Sequence, residues 1–270
     1  MESPRAIIVG IDGSRAAINA TNWAIDEAIS RDVPLRIAHV THIREASIAP
    51  KVQFSLDKEY TETALRQARA VIEATGKPVK VETAVLLGDV DETLAEESRE
   101  ASMICVGSVG IGHISRVLFG STAVSLATGA HCPVAIIRAN NDAPGPIRGR
   151  IAVVVNDQPG NDAVLQAAMD EARVRGEAIL ALGAWQLELS EIPYDEFERR
   201  VSDWMNRNPD VDVHPIATRT GMASFLETTD EAISLAVIGS TDVDRVPSLI
   251  GPRSHPILAH AECSILVVRS

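Results

Sequence analysis

One succession of residues occurs twice in this chain, and it leaves few architectures open. A dense β-branched run, Arg5 to Ile11 (RAIIVGI), is followed by apolar residues at helical spacing from Ala16 to Ser30: Ala20, Trp23, Ala24, Ile25 and Ala28. The pair returns at Ile151 to Val155 and Asn161 to Arg173. There Ala167-Ala168-Met169-Asp170-Glu171-Ala172 echoes Trp23-Ala24-Ile25-Asp26-Glu27-Ala28. A run apolar at every position suits a strand covered on both faces.

The first half continues in the same alternation. Strands are expected at Pro34–Val40, Val79–Leu87, Met103–Val106 and Pro133–Arg138. Thr41 to Leu56 has no clear period and reads as a long loop. Leu56–Thr75 reads as a helix with Tyr60, Ala64, Leu65, Ala68, Val71 and Ile72 as its inner stripe, closed by Gly76-Lys77-Pro78. Asp89–Ala101 is a second helix, turning Leu94 and Ala95 inward, and Thr122–Ala130 a third. The second half repeats the scheme. Strands fall at Ala178–Ala184, Val211–Ala217, Leu235–Ile238 and Cys263–Val268, and a helix at Tyr194–Asn206 faces inward through Phe197, Val201 and Trp204. Strands that alternate with helices imply right-handed crossovers and a doubly wound parallel sheet, an α/β fold. Ala139 to Arg150 (ANNDAPGPIRGR) is a linker by composition. The expected organisation is therefore a domain at residues 1–140, a linker at 141–150 and a second domain at 151–270. A length of 270 residues suits two domains, and with aromatic residues at only 3% their cores must be aliphatic.

Chemistry concentrates in one stretch, Met103 to Ser121 (MICVGSVGIGHISRVLFGS). A buried strand feeds glycines at Gly107, Gly110 and Gly112, and then Gly120-Ser121 opens a helix. Glycines let backbone approach an anion, and a helix start offers free N–H groups at the positive end of its dipole. Ser121 is expected at the N-cap. Asp12 ends the first strand. In an open α/β sheet ligands sit beyond the carboxyl ends of the strands where the strand order reverses, which brings Asp12 and Gly107 face to face. Taken singly, Asp12 could merely end a strand and cap a helix, and the glycines could be ordinary turn residues. Their joint occurrence at the switch point favours a nucleotide.

Other classes are disfavoured. A formal net charge of -12 gives no footprint for nucleic acid or an acidic membrane surface. Met1-Glu2-Ser3-Pro4 opens no signal segment, and no apolar run approaches a membrane span. Cys105, Cys132 and Cys263 are too few and too far apart for a disulfide framework or a zinc site, so a reduced, cytoplasmic setting is expected; Cys132 and Cys263, at matching positions before the last strands, read as packing residues, with redox sensing the alternative. His39, His42, His131, His214, His255 and His260 lack ligand spacing and read as structural or surface residues, and His113 and Arg116 as solvent-facing.

Three stretches together make the chain resemble a tandem universal stress protein. They are Val9-Gly10-Ile11-Asp12-Gly13-Ser14, the Gly107/Gly110/Gly120-Ser121 spacing, and His131-Cys132-Pro133-Val134. The resemblance covers almost the whole chain. It implies two flavodoxin- or Rossmann-like five-stranded sheets of order 3-2-1-4-5, and it points to the family's ATP-binding branch, which carries this glycine spacing. It implies a site at Gly10, Ile11, Asp12, Val40, Val106, Gly107, Gly110, Gly120, Ser121 and Thr122. In that site Asp12 meets the adenine edge and Val40 offers backbone to the base. Ile11 and Val106 are apolar walls, Gly107 and Gly110 line the ribose and phosphate path, and Gly120 to Thr122 donate to phosphates. ATP is the expected ligand. Asp12 is an acid able to meet Mg²⁺, with no second acid beside it in sequence.

The second half departs from this pattern. Asn156 stands for Asp12, Asp242 for Gly110, and Pro252 for Ser121 after the retained Gly251. An aspartate repels phosphate and proline removes a donor, so the second domain is expected to bind ATP poorly or not at all. The last strands, with Ala135-Ile136-Ile137 and Ile265-Leu266-Val267, are apolar edges expected to pair within one chain, and other surfaces are left for a homodimer. No Walker lysine follows the glycine loop, and no paired carboxylates are placed for two metals. The expected function is ATP-dependent regulation of a stress or growth response through a protein partner. A slow ATPase and a nucleotide-free interaction module are the alternatives.

Overall fold

A computed structural model describes residues 5–41, 50–108, 120–138, 149–184, 194–218, 222–245 and 263–269. The chain forms two compact units, Met1–Pro146 and Ile147–Ser270.

In the first unit β1 (Ile7–Gly10), α1 (Arg15–Ser30), β2 (Leu35–Thr41), α2 (Pro50–Thr75) and β3 (Val81–Leu87) follow in order. Then come α3 (Val90–Glu97), β4 (Met103–Gly107), α4 (Ser121–Gly129) and β5 (Val134–Ile137). All the strands are parallel, in the order β3-β2-β1-β4-β5. Helices α1 and α2 pack together on one face of the sheet, and α3 and α4 on the other. Covered on both sides, Ile7, Ile8 and Val9 are at most 1% exposed. Each such side chain contributes about 1.5–3 kcal/mol by leaving water. Helix α1 presents Ala16, Ala17, Ala20, Ala24 and Ala28 to the sheet, small residues that let its axis lie close.

The second unit repeats the plan: β6 (Arg150–Val154), α5 (Asn161–Arg175), β7 (Ile179–Ala184), α6 (Tyr194–Arg207) and β8 (Val213–Thr218). After these come α7 (Met222–Thr228), β9 (Ile233–Gly239), a 3-10 turn at Ser240–Arg245, and β10 (Ser264–Val268). Its strands are parallel in the order β8-β7-β6-β9-β10. Phe197, Val201 and Trp204 face the core as expected, at 1%, 3% and 9% exposure.

Three local expectations are corrected. The loop expected to run to Leu56 is helical from Pro50 onward. Proline suits a first helical position, where its missing N–H costs nothing. Tyr60 is not part of the inner stripe of α2. It is 45% exposed, and Thr61 is buried beside Ala64, Ala68 and Ile72 instead. Ser121 is the first residue of α4 rather than its cap, a place taken by Gly120. Helix α7 went unmarked in the sequence, its seven residues being too short to set a period. Gly110, His42, His113, Arg116, Gly251, Pro252, His255 and His260 lie outside the described residues, as does most of the expected linker.

Candidate functional site

In the first unit β1 and β4 are neighbours, and their crossovers leave toward opposite faces of the sheet. A cleft opens beyond their carboxyl ends, enclosing about 730 Å³ including its open mouth. Gly10, Ile11, Asp12, Val40, Val106, Gly107, Gly120, Ser121 and Thr122 all line it. Sequence reasoning passed over its other walls, among them Ser14, Ala38, His39, Val90 and Leu94.

One wall is the turn from β1 into α1. The amide of Ser14 donates to Asp12 Oδ1 at 2.9 Å, an Asx turn, and Ser14 Oγ caps α1 by accepting from the amide of Ala17 at 3.1 Å. Such a cap stabilises the helix by about 1 kcal/mol. Two aromatic side chains hold the same turn, His39 from the cleft wall and Tyr60 from outside the lining. His39 Nδ1 lies 2.9 Å from the carbonyl of Ile11, and since a carbonyl only accepts, Nδ1 carries the proton. The hydroxyl of Tyr60 donates to the carbonyl of Asp12. The two rings stand 5.9 Å apart at 58°. Partial burial, and after it the negative charge of Asp12, raises the Tyr60 pKa above its ordinary value, so the phenol remains a donor at neutral pH. His39, read from the sequence as structural or surface, is thus buried at the cleft wall and ties β2 to the turn.

The opposite wall is the start of α4. Helices α1 and α3 are capped by the side chains of Ser14 and Asp89, but Gly120 gives α4 no side-chain cap. An α-helix leaves its first amides without intrahelical acceptors. Ser121 and Thr122 occupy those positions and both line the cleft. The cleft therefore joins a carboxylate acceptor on one side to a helix N-terminus on the other. Ile11, Leu94 and Val106, at most 6% exposed, supply apolar surface between them. This suits a ligand with hydrogen-bond donors at one end, a flat apolar body and an anionic tail.

Gly107 has a packing role the sequence did not reveal. A Cβ there would stand 2.7 Å from both the carbonyl carbon and the Cβ of Ala16. The glycine lets the first turn of α1 rest directly on the end of β4.

The second unit serves as an internal comparison. Asn156 Oδ1 accepts from the amide of Gln158 at 3.0 Å, the same Asx turn with an amide in place of the carboxylate. The carbonyl of Asn156 is held by Arg200 at 2.5 Å, and Arg200 also pairs with Asp162 at 2.7 Å. The cleft here encloses about 310 Å³, and Asp242 forms part of its lining. The turn can therefore be built without a carboxylate, and Asp12 is more than the fold requires at its position.

No helix of the described residues is long and apolar enough to cross a membrane. The three cysteines, Cys105, Cys132 and Cys263, are buried and form no disulfide.

Comparison with known proteins gives a consistent result. The universal stress protein family profile matches residues 4–138. A universal stress protein of Mycobacterium tuberculosis is 51% identical over 265 residues, covering 98% of this chain and 96% of the relative. Another from the same organism is 32% identical over 268 residues, covering 98% and 96%. Among solved structures, a universal stress protein from Archaeoglobus fulgidus DSM 4304 superposes with a TM-score of 0.68 at 18% identity, covering 99% of this chain and 97% of that one.

Proposed function

Since this chain belongs to the universal stress protein family, we propose that its first unit binds ATP in the cleft between β1 and β4. In this reading Asp12 accepts from the adenine edge and Val40 offers its backbone to the base. Ile11 and Val106 flank the ring. The N-terminus of α4, at Gly120, Ser121 and Thr122, receives the phosphates, and Gly107 lies along the path between them. Asp12 is also the carboxylate from which Mg²⁺ would be met. Among the described residues no three His, Cys, Asp or Glu side chains gather into a metal site of their own.

The observation that carries the reading is the pairing of Asp12 with an uncapped helix start across one open cleft. In the second unit the same place holds Asn156 and Asp242. The protein then acts as a nucleotide-dependent regulator in the cytoplasm, its loaded and empty states distinguished by a protein partner. The test is direct. Protein purified from cells is denatured and the released small molecules are identified. Adenine nucleotide near one equivalent per chain supports the proposal, and nucleotide-free protein that also fails to bind added ATP overturns it. Phosphate release over hours with Mg²⁺ would move the reading to a slow ATPase.

A further inference from the structure

We propose that Tyr60 is a positioning residue for Asp12, fixing the β1–α1 turn so that the carboxylate meets the ligand. The inference rests on the nucleotide reading of the cleft and adds to it a residue outside the cleft lining. Its basis is the way each unit holds the carbonyl of the second residue after its first strand. In the second unit Arg200 donates to the carbonyl of Asn156, and its guanidinium is a full positive charge. In the first unit the corresponding carbonyl, that of Asp12, takes the hydroxyl of Tyr60. A guanidinium at that point would stand against the Asp12 carboxylate and draw off its acceptor strength. A phenol supplies the hydrogen bond and adds no charge.

The support is layered. Tyr60 sits on α2 and reaches across to the turn, and its ring lies 5.9 Å from that of His39. His39 in turn holds the preceding carbonyl, that of Ile11, at 2.9 Å. Two successive carbonyls are thereby pinned, that of Ile11 from β2 and that of Asp12 from α2. The Asp12 side chain is tied by the amide of Ser14 at 2.9 Å on Oδ1. Tyr60 is 45% exposed, so the core does not depend on it. A bulky aromatic held at a surface position by its hydroxyl is better explained by what it orients than by what it buries.

The experiment is a double-mutant cycle on the full chain, read by titration calorimetry with ATP and with inorganic tripolyphosphate, which has no base. Tyr60→Phe keeps the ring against His39 and removes the hydroxyl. It is expected to weaken ATP roughly three- to tenfold, the scale of one net hydrogen bond. Tripolyphosphate affinity and the melting temperature are expected to stay near wild type. In an Asp12→Ala background the same change is expected to cost nothing further, because the residue through which Tyr60 acts is gone. Wild-type ATP affinity in Tyr60→Phe overturns the inference. So does equal weakening of ATP and tripolyphosphate, or full additivity with Asp12→Ala, either of which marks a general structural role. A wild-type protein that binds no ATP overturns the nucleotide reading itself, an outcome distinct from an ATP-binding protein indifferent to Tyr60.

Discussion

Gly107 and Ala16 are in such close approach that a Cβ on the glycine would lie 2.7 Å from the carbonyl carbon of Ala16 and 2.8 Å from the amide nitrogen of Ala17. Backbone atoms in a helix cannot step aside as a flexible side chain can. Gly107→Ala should therefore push the first turn of α1 off β4 and lower stability by about 1–3 kcal/mol, the usual range for overpacking. The repeat supplies the control. At Gly239, which ends β9 as Gly107 ends β4, an added Cβ meets Val164 Cγ2 at 3.4 Å and Thr241 Oγ1 at 3.6 Å, both ordinary contacts. Thermal melts of Gly107→Ala and Gly239→Ala should differ, with the first clearly lower and the second close to wild type. Equal melting temperatures would show that the approach of α1 to β4 is not the constraint.

Asp12 can be separated from its turn. The Asx turn needs an acceptor oxygen at the δ position, and Asn156 shows that an amide oxygen serves. Asp12→Asn should therefore fold and melt like the wild type while losing the charge from the cleft. Its ATP affinity should fall by about 1 kcal/mol, the difference between a charged and a neutral hydrogen bond. Asp12→Ala, which loses both the turn and the contact, should cost roughly 1–3 kcal/mol of binding. Calorimetric titration of the three proteins gives the ranking. Unchanged affinity in a folded Asp12→Ala variant would remove the residue from the site.

The contrast between Asp12 and Tyr60 also shows what was legible in the sequence. Most elements followed from β-branched runs such as Arg5–Ile11 alternating with helical spacing, since these are local patterns, whereas the strand order was implied only by the family resemblance. Asp12 and Gly107 were brought together on paper by a topological rule, and in the structure both line one cleft. Tyr60 was misread because an aromatic at helical spacing looks like core, whereas its hydroxyl has a partner 48 positions away in the chain. His39 was passed over for a similar reason: nothing in LRIAHVT says that the ring will reach the carbonyl of Ile11. Gly107 was credited to ligand approach when its tightest constraint is a helix packed on it, a contact no sequence period encodes.

Tyr60 should leave a mark at alkaline pH. Its folded pKa is raised, first by burial and then by Asp12, above the ordinary value near 10 that it has in the unfolded chain. The folded state therefore favours the protonated phenol. The stability this contributes is fully present below pH about 10 and is lost as pH rises through the higher folded value. Denaturant unfolding from pH about 8 to about 11 should show the wild type losing more stability than Tyr60→Phe over the top of that range. Parallel curves for the two proteins would mean that the phenol does not titrate differently in the folded and unfolded chains.

The two clefts should differ in occupancy as they differ in form. The first encloses about 730 Å³ and the second about 310 Å³, and only the second carries an aspartate, Asp242, beside its end-of-strand glycine, Gly239. A carboxylate at that place meets any phosphate with like charge, and Asn156 offers the adenine edge a weaker acceptor than Asp12 does. One tight ATP site per chain is expected by titration calorimetry, and Asp12→Ala should weaken that site without exposing another of comparable affinity. Two equivalent tight sites would refute the asymmetry. So would a single site that is indifferent to Asp12 but lost in Asn156→Ala, since that result would put the nucleotide in the second unit.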